Sequence, residues 1–397
     1  MEKWVLAAKR ADFQEIGRKY GIDPVIARII RNRDITEDAE INQYLNGTLD
    51  DIPSWKSLKD IDKAVEIISQ KIDLGTRMRI IGDYDIDGVT ATYILLKGFK
   101  RLGANVDTYI PDRIADGYGI HNHLIEKAKE DGVDTIVTCD NGISAADQIA
   151  FAKKMGMTVV VTDHHEVPFE DTEEGRKYKL PLADAIINPK QSDCTYPNKN
   201  ICGAVVAMKL VFALYEKYGI PEREKEDYLE PAAIATVGDI MDLQGENRIL
   251  VKEGLKRLSH TSNKGLRELI RANGLEDGPI TAYHVGFVLG PCINASGRLD
   301  TAKRALELLN ASNRREAVTL AADLKELNDS RKEMTEEGVE EAVQQIESSS
   351  WKDDQVLVVY LPECHESIAG IIAGRIKERY YRPTFVLTKG EAGVKGS

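Results

Sequence analysis

The stretch RMRIIGDYDIDGVTATYILLKGFKRLG, residues 77–103, decides the predicted fold. It opens with a short apolar run that predicts a strand, and it ends with apolar residues at helical spacing. Three carboxylates, Asp83, Asp85 and Asp87, lie between the two, directly before Gly88. Glycine allows a tight turn into the helix. A strand that leads at once into a helix is the unit of a βαβ fold, so the carboxylates are predicted to lie at the carboxyl end of a parallel strand.

The same alternation continues over residues 60–245. Further strands are predicted in NVDTYIP, DTIVTCD, MTVVVTD and ADAIINP. Further helices are predicted in HNHLIEKAKEDG, ISAADQIAFAKKMG, CGAVVAMKLVFALYEKYG and EDYLEPAAIATVGDI. This order predicts an α/β fold with a mostly parallel sheet and helices on both of its faces.

Composition shifts along the chain predict four regions. Residues 1–58 are predicted to form an N-terminal helical cap, and residues 59–300 the main α/β domain. Residues 301–349 are predicted to form a helical linker, because the stretch 300–347 contains no proline and one glycine. A surface helix of one large domain remains the alternative. Residues 350–397 read as strand, helix and strand and stop as a third strand begins, so they are predicted to be part of a second α/β domain.

Charge and cysteine usage restrict the class of protein. The 397 residues carry a net charge of −12, which counts against a protein that coats nucleic acid nonspecifically. An acidic site filled by divalent cations would change that sign locally. The five cysteines show no CxxC spacing, and the chain shows neither a signal peptide nor an apolar run long enough for a membrane. A cytoplasmic protein without membrane attachment is predicted.

Acidic residues and histidines follow several predicted elements. The strands end at Asp83, at Asp140 and at the run Asp163-His164-His165, and an apolar helical run ends in Gly238-Asp239. Each group has a purely structural alternative: helix N-capping for one Asp, an Asx turn at Asp140, a surface histidine pair, and an ordinary helix end at Asp239. N-capping explains one of the three carboxylates in DYDID and leaves two unexplained. An aspartate at a helix C-terminus is also unfavourable for the helix dipole.

The predicted convergence of these groups indicates a metal centre. Oxygen-rich sites with one or two imidazoles suit Mn²⁺ or Mg²⁺, and the lack of thiolate pairs argues against structural zinc. Two such ions, bridged by a carboxylate, are the usual arrangement for hydrolysing a phosphodiester.

The segments DYDIDGVT, CDNG, DHH and GDIMDL, in this order, resemble the DHH phosphoesterase family. The segments GPCINASGRL (290–299), LPECHESIAGIIAGRIKE (361–378) and YIPDRIADGYG (109–119) resemble its RecJ branch. The terminal GVKGS is similar to the start of a glycine-serine-arginine motif in the DHH-associated second domain. The resemblance therefore implies a DHH catalytic domain, a long helical linker and a partial DHH-associated domain.

The resemblance implies roles at named positions. The implied metal ligands for two Mn²⁺ or Mg²⁺ ions are Asp83, Asp85, Asp140, His164 and Asp239, with Asp140 as the bridge. The implied catalytic residues are His165, which would contact the scissile phosphate, and Asp87, which belongs to the same acidic motif. The implied substrate contacts are Arg113, Asn294, Arg298 and Ser397.

The resemblance also implies an activity. RecJ-type enzymes remove nucleotides from the 5′ end of single-stranded DNA in recombination and repair. Single-stranded DNA is the implied partner, together with a single-strand-binding protein or a helicase. Three departures weaken DNA binding in this expectation: Cys292 replaces a common arginine, no arginine follows Ser397, and no oligonucleotide-binding barrel follows.

Three other functions remain as alternatives. A nanoRNase, a cyclic-dinucleotide phosphodiesterase or a pyrophosphatase of the same family would usually have a histidine shortly before the first acidic pair, where this chain has Arg79-Ile80-Ile81-Gly82. A catalytically inactive replication scaffold would have lost acidic ligands. A Rossmann-type nucleotide-binding domain would carry a glycine fingerprint after its first strand, and none is present.

Overall fold

The computed structural model describes residues 3, 5, 9–117, 119–172, 175–390 and 393–397. Tyr118, in the segment YIPDRIADGYG, and Glu391 and Ala392, just before GVKGS, lie outside the described residues.

Strands form three sheets in the described part of the chain. Their bounds are β1 Met78–Ile81, β2 Val106–Tyr109, β3 Thr135–Cys139, β4 Thr158–Thr162, β5 Phe169–Thr172, β6 Gly175–Tyr178, β7 Ala185–Ile187, β8 Leu357–Tyr360, β9 Thr384–Gly390 and β10 Gly393–Gly396. The main sheet has the order β2-β1-β3-β4-β7, and every neighbouring pair in it is parallel. The predicted α/β class with a mostly parallel sheet is confirmed.

Helices connect and cover these strands. The first group is α1 Phe13–Tyr20, α2 Pro24–Asn32, α3 Asp38–Asn46, α4 Ile61–Asp73, α5 Ile86–Arg101, α6 Asn122–Glu130, α7 Ala146–Lys154 and α8 Gly203–Lys217. The second group is α9 Leu229–Gly238, α10 Gly245–Leu258, α11 Lys264–Ala272, α12 Ala282–His284, α13 Gly290–Leu299, α14 Lys303–Leu309, α15 Arg314–Glu347 and α16 Ala369–Tyr380. Short 3₁₀ turns occur at Leu49–Asp51, Trp55–Ser57, Glu222–Tyr228, Ser350–Asp353 and Glu366–Ile368, and a π-helical turn at Val285–Leu289.

The main sheet is buried on both faces, which explains the continuous apolar runs of its central strands. Successive residues of β1 point to opposite sides: Ile80 belongs to one core cluster and Ile81 to the other. The same holds for Val137 and Ile136 on β3. The strand ends at the carboxyl edge of the sheet are therefore held between two packed cores.

The antiparallel pair β5–β6 was not predicted from the sequence. All the residues of both strands are exposed, so neither FEDT nor GRKY carries the apolar alternation by which strands are recognised.

The long helix α15 connects two separate cores. Ala321 and Leu324, in its first half, belong to the large core that includes the main sheet. Ala342 and Ile346, in its second half, belong to the core of the sheet β10-β9-β8 and helix α16. The four domain boundaries stay a prediction. None of the described helices combines the length and apolar character that crossing a membrane requires.

Candidate metal centre

Four segments of the chain bring acidic or imidazole side chains to the carboxyl edge of the main sheet. Asp83 follows β1, Asp140 follows β3, and Asp163-His164-His165 follows β4. Asp239 comes from the end of α9. Because β1, β3 and β4 are adjacent and parallel, their carboxyl ends meet at one place.

The carboxylates in the turn between β1 and α5 have different hydrogen-bond partners. Asp85 caps α5, accepting hydrogen bonds from the backbone N–H of Asp87 at 2.9 Å and of Gly88 at 3.0 Å. Asp83 is buried, and its Oδ1 has no hydrogen-bond partner among the described residues. Gly88 is required because a Cβ there would lie 2.5 Å from the Asp83 carbonyl oxygen. N-capping therefore accounts for one carboxylate of the three.

Asp87 lies against the start of a distant helix. Its carboxylate accepts hydrogen bonds from the backbone N–H of Gly203 at 2.6 Å and of Ala204 at 2.8 Å, in the first turn of α8. The positive end of the α8 dipole stabilises this buried charge. Its Oδ2 also lies 3.5 Å from Nε2 of His164.

Asp140 follows β3 in an unusual backbone conformation. Its φ is +60°, in the left-handed region. The next residue, Asn141, fixes this turn by donating from its side chain to the carbonyls of Ile81 at 3.1 Å and Cys139 at 3.0 Å. Asp140 Oδ1 lies 3.1 Å from Nε2 of His164. A strained aspartate held by buried neighbours is typical of a functional site.

The adjacent histidines have different surroundings. His164 is buried, and besides Asp140 and Asp87 its Nε2 lies 3.7 Å from Oδ2 of Asp239. His165 is partly exposed, with Nδ1 at 2.8 Å from Oδ1 of Asp163. The Asp163 carboxylate also accepts from the backbone N–H of Ile143, His164 and His165. Asp163 therefore orients the His165 ring, while His164 faces the carboxylates.

Electrostatics at the cluster favour a bound cation. Burial, with the neighbouring Asp85, raises the pKa of Asp83 to about 7. Burial, with the neighbouring Asp87, raises the pKa of Asp239 to about 7 and that of Asp140 well above its usual range. Burial lowers the pKa of His164, which keeps its ring neutral and able to act as a ligand. A divalent cation would relieve this repulsion between carboxylates.

The donor atoms fit two ions. Three groups each have ligand atoms within 4.8 Å of one another: Asp83, Asp85 and Asp140; Asp140, His164 and His165; and Asp87, His164 and Asp239. Asp140 and His164 each belong to two groups, so two neighbouring positions would share Asp140. The donor set of carboxylate oxygens and one neutral imidazole suits Mn²⁺ or Mg²⁺.

Two of the four predicted substrate contacts are arginines beside the acidic turn. The Arg113 guanidinium stacks 4.6 Å from the centroid of the Tyr84 ring. Arg298 donates to the Ser367 carbonyl at 2.8 Å, and among the described residues no carboxylate pairs with it. Burial and the neighbouring Arg113 lower its pKa to about 10. Two neighbouring guanidinium groups, Arg113 and Arg298, therefore lie where an anion such as phosphate could bind between them.

The other two predicted contacts have visible structural roles. Asn294 accepts a hydrogen bond from the backbone N–H of Ile86 at 2.8 Å, so it holds the start of α5. Ser397 pairs with Val386 through the backbone, and its Oγ lies over Gly370 in the first turn of α16. Their contact with substrate stays a prediction.

Three residues were missed by sequence reasoning. Asp163 was recognised as part of a cluster but was given no role. Asn188 donates to the His165 carbonyl at 3.0 Å from the end of β7, and Gly203 lies directly against the carboxylates. A Cβ at Gly203 would be 2.8 Å from Cβ of Asp140 and 3.0 Å from Oδ2 of Asp87. Strand-end position could have indicated Asn188, but no local signal indicates Gly203.

Comparison with known proteins agrees with this geometry. The family described as "DHH family, N-terminal domain" matches residues 77–236. The single-stranded-DNA-specific exonuclease RecJ of Salmonella typhimurium is 36% identical over 391 residues, covering 95% of this chain. The chain spans 66% of that relative's length, which is just under two thirds.

Two solved structures are also similar. A crystal structure of exonuclease RecJ bound to manganese has a TM-score of 0.74 and 33% identity, covering 85% of this chain and 81% of that one. A structure of RecJ from Thermus thermophilus in complex with Mg²⁺ has a TM-score of 0.70 and 29% identity, covering 95% and 49%. The region matched by the family model contains the acidic turn, the Asp140 turn and the two histidines. The chain belongs to the DHH family, within its RecJ branch.

Proposed function

We propose that this chain hydrolyses phosphodiester bonds of single-stranded DNA, with two divalent cations, from the 5′ end. The observation that carries the proposal is the pair of donor groups that share Asp140, set beside the unpaired guanidinium of Arg298. The names of the similar proteins support single-stranded DNA as the substrate. Roles in recombination and repair, and a helicase or single-strand-binding protein as partner, belong to the same proposal. A cytoplasmic location is supported by five free cysteines, four of them buried.

The bound ions would supply an activated water and would stabilise the leaving oxygen. Asp83, Asp85, Asp140, His164 and Asp239 would hold them. The chain contributes the orientation of these ligands, because hydrogen bonds between side chains and backbone groups fix the turns that carry them.

His165 would contact the scissile phosphate. Its hydrogen bond to Asp163 raises the pKa of the imidazole. A larger fraction of the rings is therefore cationic at neutral pH than in a free histidine. The Asp163 carboxylate is the opposite case: burial raises its pKa, but the hydrogen bond and charge of His165, together with the backbone N–H groups of Ile143 and His165, outweigh burial and lower the pKa. Asp163 thus stays ionised and keeps His165 oriented towards a negative ligand.

The proposed polarity requires a site for a terminal 5′-phosphate, and two basic residues lie beside the acidic turn. Arg113 and Arg298 lie on the side of the acidic turn that carries Tyr84, and Arg298 also bonds to the turn before α16, where Ser397 lies. A terminal 5′-phosphate held there would leave the first phosphodiester bond over the metal ligands. Guanidinium groups are suited to this task because they match phosphate oxygens in pairs.

The test is nuclease activity on a labelled single-stranded oligonucleotide and on its blunt duplex, with Mn²⁺ or with EDTA. Wild type should release mononucleotides from the single strand only, and only with Mn²⁺. Asp140→Asn should lower kcat by at least about 100-fold, because loss of a shared ligand exceeds the effect typical of an outer-shell change. Asp277→Asn, an exposed carboxylate outside the centre, is the matched control.

Two outcomes would contradict the proposal. Cleavage of dinucleotides or cyclic dinucleotides with long strands left intact would favour the small-substrate branch of the family. Mn²⁺ binding without cleavage of any of these substrates would favour a scaffold.

A further inference from the structure

Two aromatic rings stand exposed on the helix that borders the metal centre. Helix α12, the π-helical turn Val285–Leu289 and helix α13 follow one another without a break. The side chains of Tyr283 and Phe287 are 64% and 69% exposed, and their rings stack with centroids 4.9 Å apart at 29°. Two large rings left in water, one helical turn apart, contribute little to folding.

The same helix lies along the segments that carry the metal ligands. A Cβ at Gly286 would be 3.7 Å from Val237, two residues before Asp239. A Cβ at Gly290 would be 3.1 Å from Ile86, and Asn294 is hydrogen-bonded to Ile86 as well. The aromatic pair is therefore at the Asp239 end of the centre, and Arg298 is at the opposite, Asp85 end of the same helix.

A third apolar side chain lies at the Asp239 end. Ile240 follows the ligand directly, its side chain is 89% exposed, and its φ is +56°. Its N–H bonds to the Val237 carbonyl, and the N–H of Met241 bonds to the Thr236 carbonyl, as in a helix C-terminus that normally ends in glycine. A β-branched residue is costly in this conformation, and its exposed side chain gains no packing in return.

We infer that Tyr283, Phe287 and Ile240 form a platform on which nucleobases of single-stranded DNA stack, on the retained side of the scissile phosphate. The inference rests on the proposed function and adds to it the place where the uncut strand is held. Phe287 and Arg298 are eleven residues apart, or about 16 Å along a helix, which a few nucleotides of an extended strand would span. The strand would then run from the arginines, across the metal ligands, to the aromatic pair.

Apolar and aromatic side chains suit nucleobases better than the charged sugar-phosphate backbone of DNA. Every base has a π-face, so stacking on an aromatic ring is tolerant of sequence, as an exonuclease requires. Aromatic rings also bind without positive charge, which is consistent with an acidic protein whose unpaired arginines lie at the other end of the helix.

The test measures binding of a fluorescent dT oligonucleotide by anisotropy with Mn²⁺, with all variants made in the Asp140→Asn background, in which cleavage is at least about 100-fold slower. Phe287→Ala should weaken binding about 5- to 10-fold, within the range for the loss of one stacked base. Phe287→Leu, which keeps apolar surface without a ring, should lose nearly as much, and Phe287→Trp should restore binding. Tyr381→Ala, which removes a 91% exposed ring at the end of α16, should leave affinity unchanged.

An abasic oligonucleotide completes a double-mutant cycle. Removing the bases beyond the first nucleotide should weaken binding by the parent protein more than Phe287→Ala does, and should weaken binding by Phe287→Ala itself less than it weakens binding by the parent. An equal loss in both proteins, or unchanged affinity of Phe287→Ala, would overturn the inference. Steady-state cleavage by wild type is measured separately. If the enzyme cleaves DNA but the base removal and Phe287→Ala show no coupling, only the inferred platform is contradicted. If the two are coupled but no DNA is cleaved, only the proposed function is contradicted.

Discussion

Protons and metal ions compete for the same oxygens in the acidic cluster. Asp83 and Asp239 both have a pKa of about 7 in the metal-free protein, mainly because they are buried. Each is therefore largely protonated below pH 7 and ionised above it. A cation that binds must displace these protons, so metal affinity is linked to pH.

The expected result is that Mn²⁺ affinity falls as pH decreases from 8 to 6. The slope below pH 7 should approach about tenfold per pH unit for each proton displaced. Calorimetric titrations at both pH values, in buffers with different enthalpies of ionisation, measure affinity and proton release together. Asp239→Asn should release fewer protons than wild type. Affinity that is independent of pH would show that these carboxylates are not the ligands.

Ile240 is expected to reduce stability in favour of binding. Ile240→Gly should raise the free energy of unfolding by about 1 kcal/mol, because glycine adopts a positive φ without steric cost. The same change should weaken binding of single-stranded DNA, since the exposed side chain is lost. Thermal melts and anisotropy check the two effects. Tyr381→Gly, at a similar φ of +57° but outside the site, should gain stability without losing affinity.

At this scale, the sequence predicted which acidic and imidazole side chains gather at the edge of the sheet better than it predicted the contacts that hold them. Asp83, Asp140 and His164 could be predicted because each follows a strand closely, and adjacent parallel strands end together. The hydrogen bond of Asn294 to Ile86 joins residues 208 positions apart, and Gly203 approaches Asp87 from 116 positions away. Local spacing carries no information about such contacts.

At the scale of elements, the centre depends on how closely α8 approaches the sheet. The first turn of α8 donates two backbone hydrogen bonds to Asp87, and Gly203 leaves no space between that turn and Asp140. The first turn of α8 thus both packs against the carboxylates and stabilises the negative charge of Asp87.

Gly203→Ala should displace Asp140 and Asp87 and lower Mn²⁺ affinity about 10- to 100-fold, the range for a disturbed outer shell. Calorimetry measures the affinity, and circular dichroism shows whether the fold persists. Gly374→Ala is the matched control, because a Cβ there meets nothing within 4 Å in the middle of α16. If Gly203→Ala binds Mn²⁺ as tightly as wild type, the close approach of α8 has no role in holding the ligands.

The predictability of the elements follows from their packing. The buried strands of the main sheet were predictable because both faces are covered and their runs are continuously apolar. The helix Gly290–Leu299 was not, because GPCINASGRL is rich in poor helix formers. Its glycines are explained by tertiary contact: a Cβ at Gly297 would lie 2.4 Å from the Tyr84 carbonyl oxygen. Close packing on the acidic turn overrides helix propensity here.

At the scale of the whole molecule, the proposed phosphate site draws on a second part of the chain that contains none of the candidate metal ligands. All the candidate ligands lie between Asp83 and Asp239, on the core that includes the main sheet. Ser397 and the Ser367 carbonyl, which anchors Arg298, lie on the second core. Helix α15 spans both, so a cut within it would remove Ser397 and the Ser367 anchor and leave the candidate metal ligands in place.

The chain shortened to residues 1–333 should therefore bind Mn²⁺ with nearly the affinity of the full chain, yet bind single-stranded DNA at least about tenfold more weakly. Arg298 loses its Ser367 anchor in the shortened chain, so the salt dependence of the remaining DNA binding should be shallower: the logarithmic slope decreases by about 0.7 for every phosphate that a cationic side chain no longer neutralises. Calorimetry and anisotropy at several salt concentrations measure these quantities, and Ser397→Ala in the full chain isolates the contribution of a single hydroxyl. If the shortened chain unfolds or loses Mn²⁺, the two cores depend on each other for folding. If it keeps full DNA affinity, the second core takes no part in binding the strand and the phosphate must be held by Arg113 and Arg298 alone.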